Sequence, residues 1–174
     1  MTKPLYKVCA WAGAALLGFS GSTGAADAPA AGAHAASADI SGTYELVKRV
    51  LPDGKEVLPP AIAGLYTLTH GRRNFNVFWT QKDGKTTSLS VISKYTLTGG
   101  KYCEKALFWL QNNLLGKPGI SNEAPAAMKD CSPVTVEDGK VTFQPSGEPV
   151  LSFNKDGLTA TAAGQFVDYW KKLR

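Results

Sequence analysis

Side chains capable of acid–base chemistry are few in this chain and lie far apart. Of the two histidines, only His70 falls in the part that we expect to fold, beside Gly71 in a predicted hairpin turn, where side chains are usually exposed. Three carboxylates, Glu45, Glu104 and Asp168, fall within predicted strands, where one that points inward could act as a general acid or base. Strand carboxylates usually face solvent, so their spacing indicates no assembled catalytic group.

Motifs for catalysis or for cofactor binding are absent from the sequence. It contains no G-x-S-x-G nucleophile turn, no H-E-x-x-H zinc motif, no phosphate-binding glycine loop and no dinucleotide fingerprint. A multi-histidine metal site is excluded, because one histidine in the folded part cannot supply it. We therefore expect no cofactor and no metal ion, and we favour a binding protein over an enzyme.

Aromatic residues are the more informative set, because they concentrate in the first five predicted strands. A small-molecule pocket is typically apolar with a few polar groups, and tyrosine hydroxyls together with Asn74 or Asn76 could supply those groups. Packing in the core is the competing explanation, and for most of these rings it is the simpler one. The residues that we assign to the barrel interior and to ligand contact are Tyr44, Tyr66, Phe75, Trp79, Tyr95 and Phe108.

The N-terminal segment has the pattern of a cleavable secretory signal. Lys3 and Lys7 form a short positive region, and the apolar run Val8–Phe19 that follows carries no charge. A secretory apolar region is about 7–15 residues long, whereas a membrane-spanning helix needs about 20. Small residues follow at once, so we expect cleavage after Ala26 and no permanent membrane anchor.

The chain therefore divides into three parts. Residues 1–26 are the predicted signal peptide. Residues 27–38 form an Ala- and Gly-rich segment without large apolar side chains, which cannot bury enough surface to offset its ordering entropy, so we predict a flexible linker. Residues 39–174 remain as one domain, which is long enough to bury a core.

The charge of the mature chain is small and evenly spread. Loss of Lys3 and Lys7 from the 19 basic residues leaves a formal charge of about +3 against the 14 acidic ones. The basic residues form no stripe, so we do not expect nucleic acid as a partner.

Two cysteines remain after the signal is removed. An even pair in an exported chain usually forms a disulfide, and Cys103 and Cys131 are separated by 28 positions. The chain-entropy estimate for a loop of this length is about 3–4 kcal/mol. A metal-binding pair is the alternative, but the C-x-x-C spacing and neighbouring histidines that it needs are missing.

Period-two patterning of apolar residues dominates the chain from Asp39 onward. Phe75, Val77 and Trp79 share one face of a predicted strand, and Asn76 lies on the other. Asp-Gly and Gly-Gly pairs separate successive strands by tight turns. About eight to ten antiparallel strands of this kind must hide their edges, and we predict that they close into an up-and-down β-barrel.

One predicted connection is unusually long. Residues 114–130 show no strand pattern, and a connection of this length inside a compact domain is either functional or needs tethering. The predicted disulfide holds its far end. If the protein has a protein partner, this connection is the contact element that we expect.

Three short motifs resemble a known family. The first strand opens with Gly-Thr-Tyr-Glu-Leu at 42–46, a glycine–tyrosine strand with a polar glycine turn follows at 64–72, and the chain closes with Tyr-Trp-Lys-Lys at 169–172. These features resemble the bacterial lipocalin-like domains of the calycin group. The resemblance covers most of residues 39–174 and implies an all-β, small-molecule-binding barrel.

The first of these motifs departs from the family pattern, because Tyr44 stands where lipocalins have Trp. In that family the Trp packs across the barrel floor and a basic residue near the last strand covers it. The resemblance implies the same arrangement for Tyr44 with Lys171 or Arg174, which is a structural role.

Three functions are compatible with these features. The first is a periplasmic or secreted lipocalin-like barrel that binds a small hydrophobic or amphipathic molecule in its interior. The second is an extracytoplasmic interaction module, such as a hydrolase inhibitor, that uses residues 114–130. The third is a barrel enzyme of the isomerase or cyclase type, which would need an inward-facing carboxylate with a raised pKa.

Overall fold

The computed structural model describes residues 39–81, 83–112, 120–122 and 129–174. Their regular structure consists of thirteen β-strands without a helix. The strands are β1 (Gly42–Val50), β2 (Glu56–Val57), β3 (Ile62–Thr69), β4 (Arg72–Thr80), β5 (Thr86–Thr98), β6 (Lys101–Asn112), β7 (Ile120–Asn122), β8 (Lys129–Pro133), β9 (Thr135–Glu137), β10 (Lys140–Phe143), β11 (Val150–Phe153), β12 (Gly157–Ala162) and β13 (Phe166–Lys172).

Every ladder between these strands is antiparallel, and most strands pair with their neighbours in sequence. Eleven strands follow one hydrogen-bonded path in the order β7-β6-β5-β4-β3-β1-β13-β12-β11-β10-β9, so the first and last strands lie side by side. β8 pairs with β6, near one end of this path. β9 follows β8 after Val134 and pairs with β10 at the other end. The segment that contains β8 and β9 therefore connects the two ends of the path. The sheet is therefore a nearly closed up-and-down barrel, and the predicted fold class is confirmed.

Two hairpins show why the turns are as tight as the sequence predicts. His70 and Gly71 join β3 to β4 with φ angles of 47° and 68°, and Asp138 and Gly139 join β9 to β10 with φ angles of 50° and 73°. A turn whose two central residues both have positive φ has a backbone twist that matches the right-handed twist of the flanking strands. The predicted irregular connection differs in one respect, since it contains the short strand β7.

Four aromatic rings form a continuous stack inside the barrel. Tyr102 lies parallel to Phe143 with ring centroids 4.2 Å apart, and Phe143 lies parallel to Phe153 at 5.6 Å. Tyr95 continues the stack on the other side of Tyr102 at 5.7 Å. The stack joins β5 and β6 to β10 and β11. It therefore connects through side chains the two ends of the strand path that β8 and β9 connect through backbone hydrogen bonds.

Tyr44 is buried in the core. Its hydroxyl donates a hydrogen bond to the Ile40 carbonyl at 2.9 Å, and burial raises the pKa of Tyr44 to about 12. The basic residue over its ring is Lys172, with Nζ 5.7 Å from the centroid, and not Lys171 or Arg174. The reason is register: Lys172 lies opposite Tyr44 in the β1–β13 ladder, so both side chains leave the same face.

Trp170 packs on β3 at a glycine. A methyl group at Gly64 would lie 2.9 Å from the Trp170 ring and 2.8 Å from the Asn76 carbonyl oxygen. A side chain at this position would therefore push the ring or the backbone of β4 aside. The glycine lets the indole approach the backbone closely, in contact with Tyr66 and Phe75.

The predicted disulfide is confirmed. Cys103 and Cys131 are bonded with an S–S distance of 2.06 Å, and they lie directly opposite each other in the β6–β8 ladder. The bond therefore fastens β8, which follows the long connection, to the strand that precedes that connection.

Candidate functional site

A buried arginine lies at the centre of the barrel. Arg73 is 1% exposed and points inward from β4. Its Nη1 donates to both carboxylate oxygens of Glu104, at 2.7 and 2.8 Å. Nη1 and Nη2 also donate to Glu148, at 2.8 and 2.7 Å. The Tyr102 hydroxyl donates to Glu104 at 2.6 Å. We call Arg73, Glu104, Glu148 and Tyr102 the interior polar centre.

Electrostatics keep this arginine charged. Burial by itself lowers the pKa of Arg73, but the facing Tyr66 hydroxyl, Glu148 and Glu104 raise that pKa well above its ordinary value. The guanidinium also lies 5.0 Å from the Tyr66 ring centroid. Burial likewise raises the pKa of the Tyr102 hydroxyl, so this group stays protonated and donates to Glu104. The centre is an ion-paired network that fills the space between the aromatic rings.

A second buried ion pair lies on β1 and β13. Arg49 binds Asp168 through both carboxylate oxygens, with Nε–Oδ1 and Nη2–Oδ2 distances of 2.6 and 2.8 Å. The guanidinium lies 3.8 Å from the Phe166 ring centroid and 5.5 Å from that of Trp79. Burial raises the pKa of Asp168, although the hydrogen bonds from Arg49 act in the opposite direction.

The three strand carboxylates thus have different environments. Glu104 and Asp168 point inward, and each is bound by an arginine. Glu45 points outward and is exposed. Charge-assisted hydrogen bonds from a guanidinium are short and strong, and they hold a carboxylate in place. The inward carboxylates therefore act as ion-pair partners in this structure.

A pocket opens where β1 separates from β3. The β1–β3 ladder runs from the Gly42–Leu68 pair to the Glu45–Leu65 pair and then ends. Beyond that point β1 pairs with β2, and β3 continues along β4 alone. A pocket with a volume of about 510 Å³ begins at this gap and extends across β4 and β5 to Leu110 on β6. Most of its lining residues are apolar, and among them Leu65 and Phe78 expose their side chains, whereas Leu46 and Val77 are buried in the core. We call it the β1–β3 pocket.

The polar part of this pocket is ordered by its own hydrogen bonds. The Ser90 hydroxyl donates to Asn76 Oδ1 at 2.6 Å, and Asn76 Nδ2 donates to Asn74 Oδ1 at 2.8 Å. Ser88 and Glu45 complete the polar lining. Mostly apolar walls with a few fixed polar groups are typical of small-molecule sites.

Five of the six residues predicted as interior ligand contacts do belong to the interior. The buried ones are Tyr44 and Tyr66, and the partly buried Phe75, Trp79 and Tyr95 pack against the same core. They contact other core side chains, and none of the six lines the β1–β3 pocket.

Phe108 is placed differently from the prediction, since it lies on the outer face of β6 and is 36% exposed. A β-bulge explains this position. Ile92 pairs with Phe108 and the next residue, Ser93, pairs with Ala106, so Leu107 is an extra residue in β6. The extra residue reverses the alternation of faces, and Phe108 turns outward.

Arg73 and Glu148 were not singled out by the sequence patterns. For Arg73 a signal exists, because it shares the parity of Phe75, Val77 and Trp79, and these side chains face inward. For Glu148 there is none, because it lies in the turn between β10 and β11, where no periodicity applies.

The remaining sequence predictions fall into two groups. His70 lies in the β3–β4 turn, and its Nδ1 is 2.8 Å from the Thr69 hydroxyl. The signal peptide at 1–26 and the linker at 27–38 lie outside the described residues, as does the 114–130 connection apart from 120–122 and 129–130. Within the described part of the chain, no helix has the length and apolar character needed to cross a membrane. The same part contains no cluster of His, Cys, Asp and Glu that could hold a metal ion.

Comparisons with known proteins add one structural likeness. No protein-family model matches the chain, and no curated protein sequence matches it. The chain is similar to a lipocalin-like protein from Bacteroides uniformis ATCC 8492 whose crystal structure is known. The identity is 17% over 76% of this chain and 97% of that one, with a TM-score of 0.34. The strand order and the antiparallel pairing by themselves define an up-and-down barrel.

Proposed function

We propose that this protein is an exported barrel that binds a small, mostly apolar molecule in the β1–β3 pocket. The observation that carries the proposal is the pocket itself, with its volume of about 510 Å³ and its apolar walls. Ligand pockets typically measure about 300–1,000 Å³. Burial of apolar surface contributes roughly 25 cal/mol per Å², so a ligand that covers these walls gains most of its affinity from them.

The pocket is a better site than the centre of the barrel. The interior rings contact one another, and the interior polar centre occupies the space beside them. A ligand there would have to separate packed rings or break the ion pairs of Arg73. In the pocket, by contrast, Leu65 and Phe78 are 46% and 37% exposed and are available to a ligand.

Filling the pocket should weaken binding. Ala63 lines it on β3, opposite Phe78, so an indole placed there by Ala63→Trp would occupy ligand space. With the neutral fluorescent probe N-phenyl-1-naphthylamine, we expect Ala63→Trp to raise the dissociation constant at least tenfold, or about 1.4 kcal/mol. Fluorescence titration and native mass spectrometry measure this.

Val136→Trp is the matched control, because Val136 is 50% exposed on β9, away from the pocket. It should bind the probe as the unmodified protein does. An unchanged dissociation constant in Ala63→Trp, or an equal loss in Val136→Trp, would contradict the proposed site. A protein that binds no probe at all would favour the interaction-module alternative.

Export is a separate part of the proposal. It is supported by the signal-like segment and by the Cys103–Cys131 bond, since disulfides persist outside the reducing cytoplasm. Expressed in a Gram-negative host, the full chain should be recovered from the periplasm or medium with Asp27 as its first residue. N-terminal sequencing and intact-mass measurement test this, and a cytoplasmic product that retains Met1 would count against export.

A further inference from the structure

We infer that the β1–β3 pocket selects a positively charged amphiphile, such as a long-chain amine, with its cation at Glu45. This inference rests on the proposed binding function and adds the chemical class of the ligand. Glu45 is the one ionisable side chain among the described residues that line the pocket. A charged headgroup that enters the pocket would therefore meet a negative charge and no positive one in its lining.

Several other polar groups of the pocket are already hydrogen-bonded. Ser90 donates to Asn76, and Asn76 donates to Asn74. The Ser88 amide donates to the Asn112 side chain. Glu45 makes no side-chain hydrogen bond or ion pair among the described residues, and this includes its cross-strand neighbour Lys171. Its two oxygens are therefore unpaired, and they carry the only formal charge in the described lining of the pocket.

The backbone holds Glu45 at the mouth of the pocket. It belongs to the last pair of the β1–β3 ladder, opposite Leu65, and it also pairs with Lys171 on β13. Its Cα is thus fixed by strands on both sides, while the side chain points outward beside the gap. Apolar surface lies immediately next to it at the exposed side chain of Leu65, its partner across the β1–β3 ladder. Carboxylate and hydrocarbon surface thus lie side by side, which suits a molecule with a cationic head and an apolar tail.

The size of the effect follows from the exposure of Glu45. A solvent-exposed ion pair contributes modestly, so we expect an amine to bind about two- to fivefold more tightly than a neutral molecule with the same tail. A carboxylate with that tail should bind more weakly than the neutral molecule. The preference for the amine should shrink as salt is added, because salt screens exposed charges.

The test uses three competitors with one tail. Decylamine, which is positively charged at pH 7, decanol and decanoate each displace N-phenyl-1-naphthylamine from the full mature protein. We expect the order decylamine, decanol, decanoate in the unmodified protein. Glu45→Gln should remove the advantage of decylamine over decanol, measured as the ratio of their two dissociation constants.

Glu137→Gln is the matched control, because Glu137 is exposed on β9, lies outside the pocket lining and gives the same change in net charge. It should retain the preference for the amine. If Glu45→Gln keeps that preference, or if Glu137→Gln loses it equally, the inference is wrong. Binding of decanol without an amine preference overturns the inference alone, whereas failure of all three compounds and the probe to bind overturns the proposed function as well.

Discussion

Arg73→Met should destabilise the barrel by about 3–5 kcal/mol, which is the cost expected when one partner of a buried ion pair is removed. The substitution keeps an unbranched side chain of similar length but removes the charge. Glu104 and Glu148, which both accept hydrogen bonds from Arg73, would then face each other without a cation. Guanidinium unfolding followed by tryptophan fluorescence gives the free energy of unfolding.

Two further variants separate charge from packing. The triple change Arg73→Met, Glu104→Gln and Glu148→Gln removes the net charge and should recover about half of the loss or more, because a neutral replacement of a buried network is often tolerated. Arg72→Met is the matched control, since Arg72 is exposed at the start of β4. It should change stability by less than about 0.5 kcal/mol. Equal effects of Arg73→Met and Arg72→Met would show that the buried network does not stabilise the fold.

Loss of the disulfide should have the second large effect. The double variant Cys103→Ser with Cys131→Ser opens a loop of 28 positions, and we expect it to lower the free energy of unfolding by about 3–4 kcal/mol. Reduction of the unmodified protein should produce a similar loss, while reductant should not affect the double variant. A double variant as stable as the oxidised protein would contradict this prediction.

The structure also predicts where the loosened region lies. The bond fastens β8 to β6, and β8 with β9 completes the barrel. Hydrogen exchange should therefore rise first at β8 and β9 in the double variant, while the β1–β13 ladder keeps its protection. Uniform loss of protection across all strands would show that β8 and β9 do not open separately from the rest of the barrel.

Much of the architecture could be predicted from the sequence because its determinants are local. Alternation of apolar and polar residues places Phe75, Val77 and Trp79 on one face of a strand, and Asp138-Gly139 forms a turn from its own dihedral preferences. The pairing of Cys103 with Cys131 follows because no other cysteine lies outside the predicted signal segment. These features need no knowledge of the rest of the chain.

The set of side chains that face the barrel interior could be predicted only in part. Arg73 has the parity of an inward residue, but a charged side chain in a core is credible only when its partners are known. One of them, Glu148, comes from a turn on the far side of the barrel, 75 positions away. The bulge at Leu107 cannot be recognised in the hydrophobic pattern of the sequence. Without this extra residue, Phe108 would face inward as predicted.

The pocket is another feature that the sequence does not predict. The sequence alone is enough to predict an all-β barrel, its tight turns, its disulfide and most of its inward-facing rings, because each depends on neighbouring residues or on a unique pair. The folded chain was needed to show the contacts of these rings with one another, the ion pairs of Arg73 and the pocket that begins where β1 leaves β3. Such a pocket depends on where two strands stop pairing, which is a property of the closed sheet and not of either strand.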